Sequence, residues 1–405
     1  MNNFLSNRIQ SIEPSITINL SAKAKKYKEL GRDIINVTTG ELPFQATKNV
    51  RDALIKALTD GKDKYVDPSG IPELKEAIVK KLNYENNLVY SCEEIAIGNG
   101  VKELFFNIMA STLCKNDEVI IPAPYWVSFP EIVSFFEGQP IVVNTDQFDD
   151  FKITPEKLRS AITKKTKWLI INSPSNPTGS IYSYKELKDI ADVLREPINQ
   201  HVSIISDDIY EKIIFDNHDY NNIINVAPDL FGRTVILNGF SKSYCMTGWR
   251  LGYAAGRSEI INLVSKLKSH SNTCTPSFIQ YAGIEALASN DSFIQENLIK
   301  IKKNRDIIVN GLNTIDGISC LNPKGSFFVF PSCKAFIGCK SQEGKEINSS
   351  LDFATYLLDE YNVAVIPGEA FGIKDHFRIS YTIEEDSLKE LLNRLNKACM
   401  NLLNI

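Results

Sequence analysis

Seven short apolar runs between residues 94 and 255 constrain this chain more tightly than any other feature. They are Glu94–Ile97, Glu118–Ile121, Pro140–Val143, Trp168–Ile171, Val202–Ser206, Thr234–Leu237 and Leu251–Ala255. Each is nearly continuous rather than alternating, the pattern of a strand buried on both faces. Stretches with helical spacing stand between them, at 101–113, 128–137, 154–163, 184–195 and 257–270. Helices that carry the chain from one buried strand to the next make a mainly parallel sheet, so the fold class is α/β with a seven-stranded sheet. A ligand of such a sheet lies beyond the carboxyl ends of the strands, which directs attention to the loops after each run.

At 405 residues the chain exceeds what one core usually supports. Residues 46–299 are expected to form a large domain around the sheet, and 1–45 together with 300–405 a smaller α+β domain. The smaller unit reads as short strands at Ser326–Phe330, Val363–Ile366 and Phe377–Tyr381 among helices near 350–361 and 386–403. Residues 276–316 read as one long helical connector. Near the amino terminus a short strand, Ile34–Val37, runs into Thr-Thr-Gly40-Glu41. Gly40 is either a plain turn or a backbone that must approach a ligand closely.

The loop after Thr234–Leu237 reads Asn238-Gly-Phe-Ser-Lys-Ser-Tyr-Cys-Met-Thr-Gly-Trp-Arg250. A lysine at the mouth of such a sheet, Lys242, is placed to form a Schiff base with a carbonyl cofactor, and Arg250 to hold that cofactor's phosphate. A lone loop lysine is otherwise a solvated side chain. Gly98-Asn-Gly100-Val101-Lys102 opens a helix whose free N–H groups suit a phosphate. Pro122-Ala-Pro-Tyr-Trp126 puts an indole at a strand mouth, for packing or for stacking on a flat ring. Asn172-Ser-Pro-Ser-Asn176-Pro177-Thr-Gly179 is a rigid loop that presents the Asn176 amide, with a cis bond expected before Pro177. Ser206-Asp207-Asp208-Ile-Tyr210 ends a buried strand on a carboxylate, which is costly unless it meets a cation or a ligand; otherwise Asp207 is a helix cap. Arg378, within Phe377-Arg-Ile-Ser, is either a solvent-facing strand residue or the receiver of a substrate carboxylate.

Composition excludes several other classes. With 45 Lys and Arg against 49 Asp and Glu, a net charge of -4 gives no reason to expect a nucleic-acid or membrane-surface partner. The eight cysteines are dispersed and the four histidines never approach one another in sequence, so no metal site is expected, and the thiols read as free in a reducing compartment. Neither a signal peptide nor an apolar stretch of about 20 residues is visible, which makes a cytoplasmic location the expectation.

Taken in order, these loops resemble those of the class I, fold-type-I aminotransferases that use pyridoxal 5′-phosphate, in particular the bacterial type of aspartate aminotransferase. The resemblance rests on Pro-Tyr-Trp126, Ser-Asn176-Pro-Thr-Gly, Ser-Asp207-Asp-Ile-Tyr210 and Ser-Lys242-x-x-x-Met-Thr-Gly-Trp-Arg250, and runs from Gly40 to Arg378. It implies that Lys242 carries the cofactor and shuttles a proton, and that Asp207 pairs with the ring nitrogen. Tyr210 and Asn176 would bond the phenolic oxygen, and Trp126 would stack on the ring. Arg250 and the backbone of Val101 and Lys102 would hold the phosphate, and Ser241 would also bind the cofactor. Gly40 and Arg378 would receive the substrate's α-carboxylate, with Trp126 and Asn176 also lining the substrate. Tyr65 would reach the phosphate of a neighbouring subunit, implying a homodimer with shared sites. Lys102 matches the lysine that meets a side-chain carboxylate, which favours aspartate and 2-oxoglutarate. Relatives that use prephenate carry a basic residue where this chain has Glu13, so prephenate activity is in doubt. The same loops would also serve a β-lyase or a transaminase of other specificity.

Overall fold

The computed structural model describes residues 4, 6–10, 12, 16–289 and 292–403. The seven strands of the main sheet are β1 (Ile95–Gly98), β2 (Glu118–Ala123), β3 (Gln139–Asn144), β4 (Thr166–Asn172), β5 (Ser203–Asp207), β6 (Thr234–Gly239) and β7 (Gly252–Ala255). Their order is β1-β7-β6-β5-β4-β2-β3. β2 through β6 run parallel, and β7 is antiparallel to both its neighbours. Only a short loop joins β6 to β7, and without a crossover helix the chain must turn back on itself.

Continuous hydrophobicity did mean burial on both faces. Along β4, Leu169 and Ile171 enter one core with Leu187 and Ile190, while Trp168 and Ile170 enter another with Phe105 and Ile108. The edge strand β3 is the exception and is half exposed. Register then lines up the strand ends: Asn172 faces Asp207, Gly239 faces Gly252, and Gly252 faces Gly98. One edge of the sheet thereby collects the loops after residues 98, 123, 172, 207 and 239. The helix α1 (Val101–Thr112) starts at that edge.

A second core gathers Phe327, Phe336, Phe353, Phe377, Tyr381, Leu391 and Val37. Phe377–Ser380 pairs antiparallel with both Ile366–Pro367 and Phe328–Val329, and Ile35–Asn36 pairs in parallel with Val363–Ala364. The expected single strand Val363–Ile366 is thus two short strands that serve different sheets. The expected connector 276–316 is likewise two helices, Ser277–Ala288 and Ser292–Leu312. Ser289, at the end of the first, is extended. No helix of the described residues is long and apolar enough to cross a membrane.

Candidate active site

Lys242 projects from the β6–β7 loop and donates from Nζ to the Gly40 carbonyl at 2.5 Å. A Cβ on Gly40 would lie 3.9 Å from that nitrogen, so the turn does bring its backbone against the lysine. Burial, then Arg378 and Arg250, hold the Lys242 ammonium down to about 8, against the attraction of Glu41 and Asp207. The amine is therefore neutral in part near physiological pH.

Asp207 ends β5 with 4% of its surface exposed and accepts a long hydrogen bond from the Ile209 N–H at 3.4 Å. Burial pushes its carboxyl up to about 7, against the pull of Lys242. Its neighbour Asp208 points away, as alternation on a strand requires, and accepts from Ser206 Oγ at 2.7 Å. The tandem acids are thus separated, and only Asp207 joins the lysine. The Tyr210 ring centroid is 5.9 Å from Lys242 Nζ, and burial raises its hydroxyl well above the usual range.

Arg378 is buried. Its Nη1 donates to Asn176 Oδ1 at 3.0 Å and its Nη2 to the Thr38 carbonyl at 2.7 Å, while Nε has no partner among the described residues. Phe328 and Phe371 cover the guanidinium, at 4.3 and 5.2 Å. Burial lowers its pKa to about 10, which still leaves a cation at neutral pH. Asn176 is itself fixed by an N–H bond to Asn172 Oδ1 at 2.9 Å, and the expected cis bond before Pro177 is present. The sequence did not point to Thr38, Phe328 or Phe371. The aromatic run Ser326–Phe330 could have drawn attention, but read alone it is only a strand.

At the other end of the site Gly252 leaves no room for a side chain, since a Cβ there would lie 2.9 Å from the Val101 nitrogen. The α1 amino terminus therefore lies directly against β7. Arg250, in a left-handed conformation (φ 55), reaches back over this point; its Nη2 donates to the Asn99 carbonyl at 3.2 Å and its Nη1 to the Thr247 carbonyl at 2.9 Å. Lys102 Nζ lies 4.9 Å from the Trp126 ring centroid, and burial and then Arg250 lower its pKa. Ser241 is buried beside Lys242. Tyr65 is not brought into this cluster: it is 85% exposed. Glu13 lies outside the described residues.

The donor set fits pyridoxal phosphate: a lysine with a depressed pKa, a buried acid short of partners, an arginine beside a helix amino terminus, and an orphaned guanidinium N–H. Comparison with known proteins agrees. Residues 32–395 match the family model described as aminotransferase class I and II. A "probable aspartate/prephenate aminotransferase" of Rickettsia bellii is 44% identical over 98% of this chain and 99% of its own length. The crystal structure of the aspartate aminotransferase from Rhizobium meliloti superposes with a TM-score of 0.95 at 40% identity, covering 98% of this chain and 99% of that one. That of Thermus thermophilus, solved with maleate, gives 0.90 at 34% identity, covering 97% and 99%. The chain belongs to the class I and II aminotransferases and is a transaminase that works with pyridoxal 5′-phosphate.

Proposed function

We propose that the protein is an aspartate aminotransferase, which passes the amino group of L-aspartate to 2-oxoglutarate in two successive half-reactions. The observation that carries this reading is a pair of cations. Arg378 is buried with its Nε unspent, and Lys102 stands beside the Trp126 ring with a lowered pKa. An α-carboxylate needs one such partner, and a second carboxylate on the side chain needs another. The names of the relatives favour the same choice, as does the Thermus structure with maleate, a four-carbon dicarboxylate.

Arg250, Ser241 and the N–H groups of Val101 and Lys102 would hold the cofactor's phosphate; Trp126 would cover the ring, and Asn176 and Tyr210 would bond its phenolic oxygen. The cofactor, when bound, supplies an electron sink for the pair left on the substrate's α-carbon. Asp207 keeps a proton at the ring nitrogen, the role for which a buried acid with few other partners is suited. Lys242 Nζ takes the proton from the substrate's α-carbon and returns one later, helped by a pKa near 8. Gly40 and Arg378 orient the α-carboxylate. Exposed Tyr65 would complete the site of a second subunit in a homodimer. The chain would divide into a large domain, 46–299, and a small one, 1–45 with 300–405; one core shared by Val37 and Phe353 supports grouping the two ends of the chain, and it also takes in Ile209–Phe215 of the large domain.

A second reading, prephenate as an amino acceptor, is favoured by the names of relatives, against the repulsion expected of Glu13. A donor and acceptor panel decides between them. We expect aspartate to exceed alanine, aromatic amino acids and arogenate in kcat/KM, with oxaloacetate as product. Lys102→Ala should raise KM for aspartate roughly tenfold or more, the loss of about 1.4 kcal/mol, with alanine little changed. Equal effects on both donors would assign Lys102 to the cofactor instead. Release of pyruvate and ammonia from an amino acid that carries a leaving group on its β-carbon, such as cystathionine, without oxaloacetate from aspartate, would replace transamination with elimination.

A further inference from the structure

Lys268 is the most deeply buried charge in the described chain, with 0% of its surface exposed. It projects from the helix Ser258–Ser269 into the sheet end beneath the α1 amino terminus. Its Nζ donates to the Ile97 carbonyl, near the end of β1, and to Thr275 Oγ1 at 3.3 Å. Both acceptors are neutral. A buried ammonium on neutral acceptors is unfavourable unless negative charge stands near it. Among the described residues Glu103 and Asp67 attract it from beyond hydrogen-bond reach, and both carboxylates are engaged elsewhere. Asp67 accepts from the Ser69 N–H at 2.7 Å, and Glu103 accepts from the Asn99 N–H and from Asn272 Nδ2.

Glu103 presents the problem that Lys268 answers. It lies in the first turn of α1, where an anion would dock, and its charge opposes that anion. Its bond to the Asn99 N–H shapes the loop, so the acid is needed there for geometry. Lys268 supplies the compensating charge from below. It also fixes the loop by a continuous path. Lys268 holds the Ile97 carbonyl; the next carbonyl, of Gly98, accepts from the Gly100 N–H at 2.8 Å; and the Asn99 carbonyl accepts from Arg250. From the other side, the Ile97 N–H donates to the Ser69 carbonyl at 2.8 Å, so this strand end is pinned at both groups.

We propose that Lys268 is a positioning residue for the cofactor's phosphate, offsetting Glu103 and fixing the Ile97–Gly100 loop, whose Asn99 carbonyl receives Arg250. The inference rests on the phosphate lying at the α1 amino terminus. The test is binding by the cofactor-free protein, with pyridoxal 5′-phosphate and unphosphorylated pyridoxal titrated by absorbance and fluorescence. In Lys268→Met, close in size but uncharged, the phosphate ester should bind at least tenfold more weakly while pyridoxal changes less than twofold. Lys268→Gln, which keeps a donor, serves where the Met variant does not fold and should show the same selective loss. Arg250→Gln is the control for the cradle itself. If it loses the ester selectively and the Lys268 variants do not, this inference alone fails. If Arg250→Gln shows no selectivity, the phosphate lies elsewhere. Equal weakening of both ligands by the Lys268 variants, or failure of both variants to fold, would assign Lys268 to the stability of the sheet end and overturn the proposal.

Discussion

Replacing Asp207 by Asn should make the cofactor-free protein more tolerant of high pH while it cripples the enzyme. The reason lies in the carboxyl's surroundings: burial pushes it up to about 7, from an ordinary value of 3.8. Between those values the folded chain holds a proton that the unfolded chain has lost, so stability falls as pH rises and the penalty is complete above pH 7. Integrated, the penalty is about 4 kcal/mol at pH 8 and about 2 kcal/mol at pH 5. Asparagine removes it at every pH. The new amide leaves a donor without a partner, a loss of about 1–3 kcal/mol that does not vary with pH and so cancels between the two conditions. At roughly 2.1 cal/mol/K per residue, a chain of 405 residues changes its midpoint by about 1.2 °C per kcal/mol. The difference in Tm between variant and wild type should therefore be about 3 °C more favourable to the variant at pH 8 than at pH 5, measured by calorimetry on protein stripped of cofactor. A difference that is the same at both pH values would refute the buried-acid argument. In the loaded enzyme the same substitution should slow transamination about a thousandfold or more, equivalent to about 4 kcal/mol of transition-state stabilisation.

Two further substitutions test the rest of the site. Lys242→Ala should abolish the absorption band of covalently held cofactor, and a band that survives dialysis would mean that another lysine carries it. Gly100→Ala should weaken cofactor binding several-fold in the same absorbance titration, because φ is 82 and the new Cβ would lie 2.6 Å from Arg250 Nη2, a strain of about 1 kcal/mol or more. Unchanged affinity there would mean that Arg250 is free to move without consequence.

The parts of the molecule that were legible in the sequence are those whose cause is local. A strand buried on both faces must be apolar at every position, so β1, β2 and β4–β6 announced themselves, and the site followed from the rule that places it at their carboxyl ends. Lys242, Asp207 and Asn176 lie within a few residues of such an end, and Arg250 stands just before antiparallel β7, whose amino end lies at the same edge. The surroundings of Arg378 were not legible, because its partners come from residues 38, 176, 328 and 371, and no spacing within any one segment encodes their meeting. The short strands of the second core failed for a related reason. Two-residue strands such as Val363–Ala364 and Ile366–Pro367 take their sheet from the partner rather than from their own pattern.

Lys268 stands between these cases. Ile261 and Val264 face the core, and Lys268 follows them by seven and four residues, so helical periodicity alone puts a lysine on the buried stripe of its helix. A charge at such a position contradicts the pattern around it. Natural sequences break local rules of this kind chiefly where function needs it, and such a break lends more weight to a polar residue than its exposure on a loop does.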